Sequence, residues 1–293
     1  MLERIRQGDV LLADGAMGTL LLGTGLKPGG CHESLNLDRP ELLEDIARKY
    51  FDAGAEIIQT NTFGASPLKL AAYGLADQCA EINRSAVRAA RRAVGDRAYV
   101  CACCGPCGKL LKPYGDTEPG VVAESFERQL RSLVAAGIDA VNFETMIDLS
   151  EAEIAVKTAK SAAPDLVVIA TMTFQPTRRG LFTIMGNTIA ETAERLAAAG
   201  ADVVGSNCGN GIELMVEVAR EFRKVGTLPA STRPNAGVPQ LLNGRPVYPE
   251  TPEFMAARIP DLVGAGVSII GGCCGTTPEH IRAFRSALDS RAA

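Results

Sequence analysis

The stretch AAGADVV, residues 198–204, closes a helical pattern on a glycine and passes straight into a β-branched run. Glycine suits the left-handed position that ends a helix, and an apolar run directly behind it suits a strand buried on both faces of a parallel sheet. The same construction recurs as DAGAEII at 52–58, AAGIDAV at 135–141 and GAGVSII at 264–270. Strand-like runs fall at 10–14, 56–61, 98–103, 139–144, 166–174, 202–207, 229–234 and 267–271, each followed by a helical pattern. Helix starts carry their own signals. Asp38 to Pro40 lie just ahead of ELLEDIARKYFDAG, Thr251-Pro252 ahead of EFMAARIPDL and Thr277-Pro278 ahead of EHIRAFRSAL, each a capping side chain followed by proline. Eight β-α units with no composition break predict a single (β/α)8 TIM barrel, an α/β fold, as one domain over 1–293, in preference to a doubly wound open sheet.

Composition narrows the function classes. A chain of 293 residues, 46% hydrophobic, buries a large core, and its net charge of −4 comes from well-mixed charges without a basic block. Neither nucleic acid nor membrane is indicated, since no apolar run approaches the roughly 18 residues that a bilayer span needs. The N-terminus MLERIRQGDVLLADG lacks the apolar core and cleavage site of a secretory signal, and the nine cysteines are an odd number. Reduced thiols and a cytoplasmic location are the expectation.

In a barrel of this kind function sits at the C-terminal ends of the strands. There the sequence places Asp14-Gly15 after strand one, Thr60 to Thr62 after strand two, Asn142 to Thr145 after strand four, Ser206 to Cys208 after strand six, Arg233 to Asn235 after strand seven and Gly271 to Cys274 after strand eight. Three thiols, Cys208, Cys273 and Cys274, therefore reach one rim. Three thiolates with an open fourth position describe a catalytic zinc site. Adjacent residues of a strand point to opposite faces, so Cys273 and Cys274 share a metal only where the strand has ended, a turn that Gly271, Gly272 and Gly275 permit. The spacing lacks the paired C-x-x-C of common zinc modules, and a buried cysteine also serves as a small apolar residue.

The stretches DGAMGT (14–19), ESLNLDRPELL (33–43), AGAEIIQTNTFGAS (53–66), NFETMIDLSEA (142–152), GSNCGNG (205–211), RPNAGVPQ (233–240) and GGCCGTTPEHI (271–281) together resemble the homocysteine S-methyltransferase family, above all the N-terminal module of cobalamin-dependent methionine synthase. The resemblance implies a (β/α)8 barrel in which Cys208, Cys273 and Cys274 bind Zn2+, the metal binds the thiol of homocysteine, and methyl transfer to that zinc-bound thiolate gives methionine. The chemistry is coherent: a free alkyl thiol is about 3% ionised at pH 7, a deficit of roughly 2 kcal/mol, and zinc removes it by binding the sulfur deprotonated. The family's matching acidic residues imply that Asp14 and Glu144 hold the substrate ammonium. The backbone from Gly15 to Gly18 could offer N–H donors to its carboxylate, and Asn207 and Asn235 orient loops or ligands. The structural alternative makes Asp14 a turn residue and pairs Glu144 with an arginine such as Arg178.

The methyl donor is expected to reach the barrel from outside, on a corrinoid (methylcobalamin) carried by a separate protein or through a system linked to methyltetrahydrofolate. The chain contains neither a second barrel nor a D-x-H-x-x-G corrinoid signature around His32 or His280, so it is not expected to be a complete cobalamin-dependent methionine synthase. S-methylmethionine is the alternative donor. Betaine is disfavoured because aromatic cages for quaternary ammonium groups favour tryptophan, and the chain has none. Competing readings are another small thiol acceptor, a non-catalytic zinc-barrel subunit of a methyltransferase complex, and a phosphate site at GGCCGTTPEH. His280 reads as a surface or packing residue, and His32, in the GGCHES loop before the first helix, is a minor candidate for the mouth. The run VCACCGPCGKL (100–110) departs from the family: Cys101 and Cys103 share a strand face, and Cys104 and Cys107 have the spacing of a metal or redox pair or are simply small packed residues. Cys31 and Cys79 have no visible partners.

Overall fold

Eight parallel strands curl into one barrel in the computed structural model, which describes residues 1–23, 29–226, 228–242 and 245–292. They are β1 (Leu11–Leu12), β2 (Ile57–Gln59), β3 (Tyr99–Cys104), β4 (Ala140–Met146), β5 (Val167–Met172), β6 (Val203–Asn207), β7 (Ala230–Arg233) and β8 (Val267–Ile270). Each pairs with its sequence neighbour, and β8 returns to β1. A parallel bridge between Ala13 and Ile57 closes the ring, reinforced by the Glu56 N–H on the Leu12 carbonyl at 2.7 Å. Register carries directly into function: Asn207 of β6 stands beside Arg233 of β7.

The glycines that end the four recurring junctions, Gly54, Gly137, Gly200 and Gly266, all have positive φ, the left-handed conformation that terminates a helix without a Cβ penalty. Thr251 caps the helix Pro252–Ala256 through its side chain. Asp38 does not cap its helix; it ends the short helix Leu35–Asp38, and Pro40–Asp52 starts from Arg39 with no side-chain cap.

Two apolar layers follow from strand alternation. Inside the barrel, Leu11, Ala13, Ile57, Cys101, Ala140, Ile169, Val203 and Ile269 form the lower core, and Ile5 of the helix Leu2–Arg6 plugs it from below. Outside, the opposite strand faces pack on the helices. The polar residues are left for the upper end. Two antiparallel strand pairs also lie there, 175–177 with 180–182 after β5 and 240–242 with 245–247 after β7. No helix among the described residues is long and apolar enough to cross a membrane.

Candidate active site

The three cysteines predicted to converge do so. Cys208 leaves β6 at φ 61°, held by its N–H on the Arg233 carbonyl at 3.1 Å. Beyond β8 the chain turns, with the Cys273 N–H on the Pro234 carbonyl at 2.8 Å and the Ala236 N–H on the Cys274 carbonyl at 2.9 Å. Gly275, at φ 82°, completes the turn, and a Cβ there would collide with the ring of Tyr248. The three sulfurs lie within 4.8 Å of one another, with Cys208 Sγ 3.9 Å from Cys274 Sγ. Tetrahedral zinc at its usual distance of about 2.3 Å from sulfur sets thiolates about 3.8 Å apart, so the trio fits the ion. Among the described residues no other group of side chains has this metal-holding arrangement. The hydrogen bond with Cys208, then burial, pushes the Cys273 thiol up to about 12. A divalent cation is the partner that lets such thiols ionise together.

Asn207 is a strut. Its Oδ1 accepts from the Thr145 N–H at 2.7 Å and the Thr171 hydroxyl at 2.8 Å. Its Nδ2 donates to Thr145 Oγ1 at 2.8 Å and approaches Cys273 Sγ at 3.7 Å. These bonds hold Thr145 at φ 58°, a strained backbone for a β-branched residue, directly beside Glu144. Asn235 does not line the cavity; it is buried, with its N–H on the Asn210 carbonyl at 2.9 Å.

Asp14 and Glu144 meet through Arg233, which the sequence placed at the mouth without giving it a role. The buried guanidinium of Arg233 lies 2.7 Å from Asp14 Oδ1 and 3.3 Å from Glu144 Oε2. Gln59 and Asn142 each donate to Glu144 Oε2 at 2.8 Å, and the Gln59 N–H donates to Asp14 Oδ2 at 2.7 Å. Glu144 thus pairs with Arg233 and not with Arg178, which lies exposed on the 175–182 hairpin. Burial pushes Asp14 up to about 6 against the pull of Arg233 and the Gln59 N–H. Burial also works against the charge of Arg233, and the two carboxylates more than offset it.

Carboxylates, guanidinium and thiols line one cavity of about 260 Å³, together with Gly15 to Thr19, Phe63, Cys103 and His32. His32 therefore reaches the mouth. His280 is a buried packing residue whose Nδ1 meets the Thr277 N–H at 3.1 Å and whose Nε2 meets the Glu250 carbonyl at 3.0 Å. The loop after β8 is no phosphate cradle. The N–H groups of Gly271, Gly272, Cys273 and Thr276 go to backbone carbonyls, that of Gly275 to Thr19 Oγ1 and that of Thr277 to His280.

The remaining cysteines are packing residues. Cys101 lies in the lower core and Cys103 lines the cavity from the same strand face. Cys104 and Cys107 are buried in the outer layer. Burial pushes Cys107 up to about 12, the opposite of a reactive redox thiol. Cys31 and Cys79 share a small apolar cluster with Ala65, Leu70 and Ile82.

Methionine synthase of Mycobacterium leprae (strain TN) is 34% identical over 305 aligned positions, covering 98% of this chain and 25% of that protein. Methionine synthase of Mycobacterium tuberculosis (strain ATCC 25618 / H37Rv) is 33% identical over 296 positions, covering 95% of this chain and 24% of that protein. The chain thus spans about a quarter of the length of these relatives. Among solved structures, the metallated form of the homocysteine methyltransferase MmuM from Escherichia coli superposes with a TM-score of 0.78 at 25% identity, covering 95% of this chain and 96% of that one. The family profile described as Homocysteine S-methyltransferase matches residues 11–288, and with the strand-end cysteines and acids in place the chain belongs to the homocysteine S-methyltransferase family.

Proposed function

We propose that this chain binds homocysteine in the cavity at the barrel mouth and directs a methyl group onto its sulfur, forming methionine. One observation carries the reading: three cysteine sulfurs and a buried acid–guanidinium cluster face the same space of about 260 Å³. An amino-acid thiol is complementary to both ends. Cys208, Cys273 and Cys274 are the residues that would hold zinc, which when bound supplies the positive charge that keeps an acceptor thiol deprotonated at neutral pH. Glu144 and Asp14 take the ammonium. The carboxylate falls to backbone N–H groups between Gly15 and Gly18, of which that of Ala16 is already spent on Thr276 Oγ1 at 3.2 Å. Asn207 fixes the distance between the two ends, because it touches Cys273 and braces the residue after Glu144. No side chain is needed as general base once the thiol is ionised. The donor in this reading is a methylated corrinoid on a separate protein. A single barrel suffices for the acceptor half, and the near full-length match to MmuM, itself described as a homocysteine methyltransferase, supports methyl transfer to homocysteine by a barrel of this size.

The test is composition and coordination. About one zinc per chain is expected, and Cys208→Ser, Cys273→Ser and Cys274→Ser are each expected to lose it while keeping the fold. X-ray absorption is expected to gain one sulfur neighbour when homocysteine is added. Full zinc occupancy in all three folded variants, or an unchanged sulfur count, would reject the reading.

A further inference from the structure

Arg233 is the only lysine or arginine among the described residues lining the cavity, and it is 4% exposed. Its donors are largely spent within the protein. Nε donates to the Gly272 carbonyl at 3.1 Å, Nη2 to the Asp14 carbonyl at 3.1 Å and Asp14 Oδ1 at 2.7 Å, and Nη1 to Glu144 Oε2 at 3.3 Å. A guanidinium tied down in this way is not free to clamp a substrate carboxylate. What it does is set a charge within its own cluster: Asp14, Glu144 and the guanidinium leave a single surplus negative charge there, apart from Glu33, which also lines the cavity and accepts from the Gly64 N–H at 2.6 Å.

We propose that Arg233 is the specificity-determining positioning residue of the amino-acid end, holding Asp14 and Glu144 apart and ionised with one surplus charge, so that the site selects thiols bearing one ammonium group over thiols bearing none. The inference rests on the homocysteine reading above and goes beyond it in assigning the selectivity to a residue that acts through the two acids. The physical reason is that like-charged carboxylates sharing a dry site otherwise share a proton. A substrate ammonium would then have to displace that proton. The charge between the two acids is what counts, and a lysine supplies the same single positive charge, although from one point.

The measurement is a ratio of affinities in the zinc-loaded chain: homocysteine against 4-sulfanylbutanoate, which keeps the thiol and carboxylate and lacks the ammonium, both by calorimetry. In the wild type a lost charge-assisted contact corresponds to a preference of about thirtyfold for homocysteine. Arg233→Met is expected to cut this preference to about threefold or less, with the affinity for 4-sulfanylbutanoate and the zinc content little changed. A purely structural defect would weaken both ligands together. Arg233→Lys, which keeps the charge, is expected to retain a preference above about tenfold; if Arg233→Met does not fold, this variant decides alone, and a smaller preference in it overturns the proposal. An undiminished preference in folded Arg233→Met, or an equal loss for both ligands, also overturns it. Failure of the wild type to bind homocysteine at all would instead bring down the functional reading itself.

Discussion

Glu144 gathers three hydrogen bonds on one oxygen, from Gln59, Asn142 and Arg233, so its carboxylate is fixed in place before any ligand arrives. Glu144→Gln is therefore expected to weaken homocysteine binding roughly thirtyfold, the cost of about 2 kcal/mol for a lost charge-assisted contact, while zinc stays in place. Calorimetry and elemental analysis on the same sample check both halves. Asp14 adds a pH dependence. Its pKa rises from 3.8 to about 6 on folding, so between those values the folded chain binds protons more readily than the unfolded one. Its contribution to stability falls as pH rises across that window and stays low above it. Ammonium binding needs the ionised form and has the opposite slope: homocysteine affinity is expected to increase as pH rises through about 6, a step that Asp14→Asn removes. Asp14 and Glu144 were legible as mouth residues because each follows a strand-end pattern, while their tie to an ammonium group came only with the family resemblance. Arg233 was visible only as a mouth residue. Its role depends on reaching across the barrel to β1 and β4, a distance in space that no local spacing encodes, and for the same reason the sequence suggested Arg178 as the partner of Glu144.

At the scale of elements, the close approach of β6 to β7 sets the geometry of the metal end. A Cβ at Gly205 would fall well inside contact of the Ser231 carbonyl oxygen, which is backbone and cannot swing aside. Gly205→Ala is expected to cost on the order of 1–3 kcal/mol as overpacking, read as a lower denaturant midpoint. It should also lower zinc occupancy, because moving β7 pulls the Arg233 carbonyl from the Cys208 N–H. Unchanged stability and unchanged metal content would show that the strands have slack. The four glycine-ended helices and the eight strand runs could be read from sequence because a left-handed cap followed by a β-branched run is a local signal. Three elements could not. The plug helix Leu2–Arg6 has a single buried apolar residue, Ile5, too little for a periodicity. The 175–182 hairpin is mostly exposed with no alternation of apolar and polar positions, and the runs 240–242 and 245–247 show none either, so that Asn243-Gly244 was a turn signal without flanking strand patterns to join.

Over the whole molecule, the exposed large apolar side chains among the described residues share a place in the chain order. Leu22, Tyr73, Leu110, Tyr114, Val121, Ile147, Ile184, Met185, Val238, Leu241, Leu242 and Val247 all lie on segments that follow barrel strands, the end where the cavity opens. Contiguous exposed apolar surface commonly marks a meeting place for a macromolecule, which makes this end the place to test for a protein-borne donor. The donor hypotheses are separated by experiment. Zinc-loaded chain and homocysteine are offered a methylated corrinoid protein, free methylcobalamin, methyltetrahydrofolate, S-methylmethionine and betaine in parallel, with methionine as the readout. Rapid methionine formation is expected from the methylated corrinoid protein. Ile184→Ser with Leu241→Ser, side chains 74% and 81% exposed, is expected to slow that reaction about tenfold or more through lost contact with the carrier, as truncation of an interface residue worth about 1.4 kcal/mol would do. The same double variant should use free methylcobalamin at the wild-type rate, since neither residue lines the cavity. Rapid turnover with S-methylmethionine and none with any methylated corrinoid would overturn the carrier hypothesis and leave the sulfur and ammonium subsites as they stand.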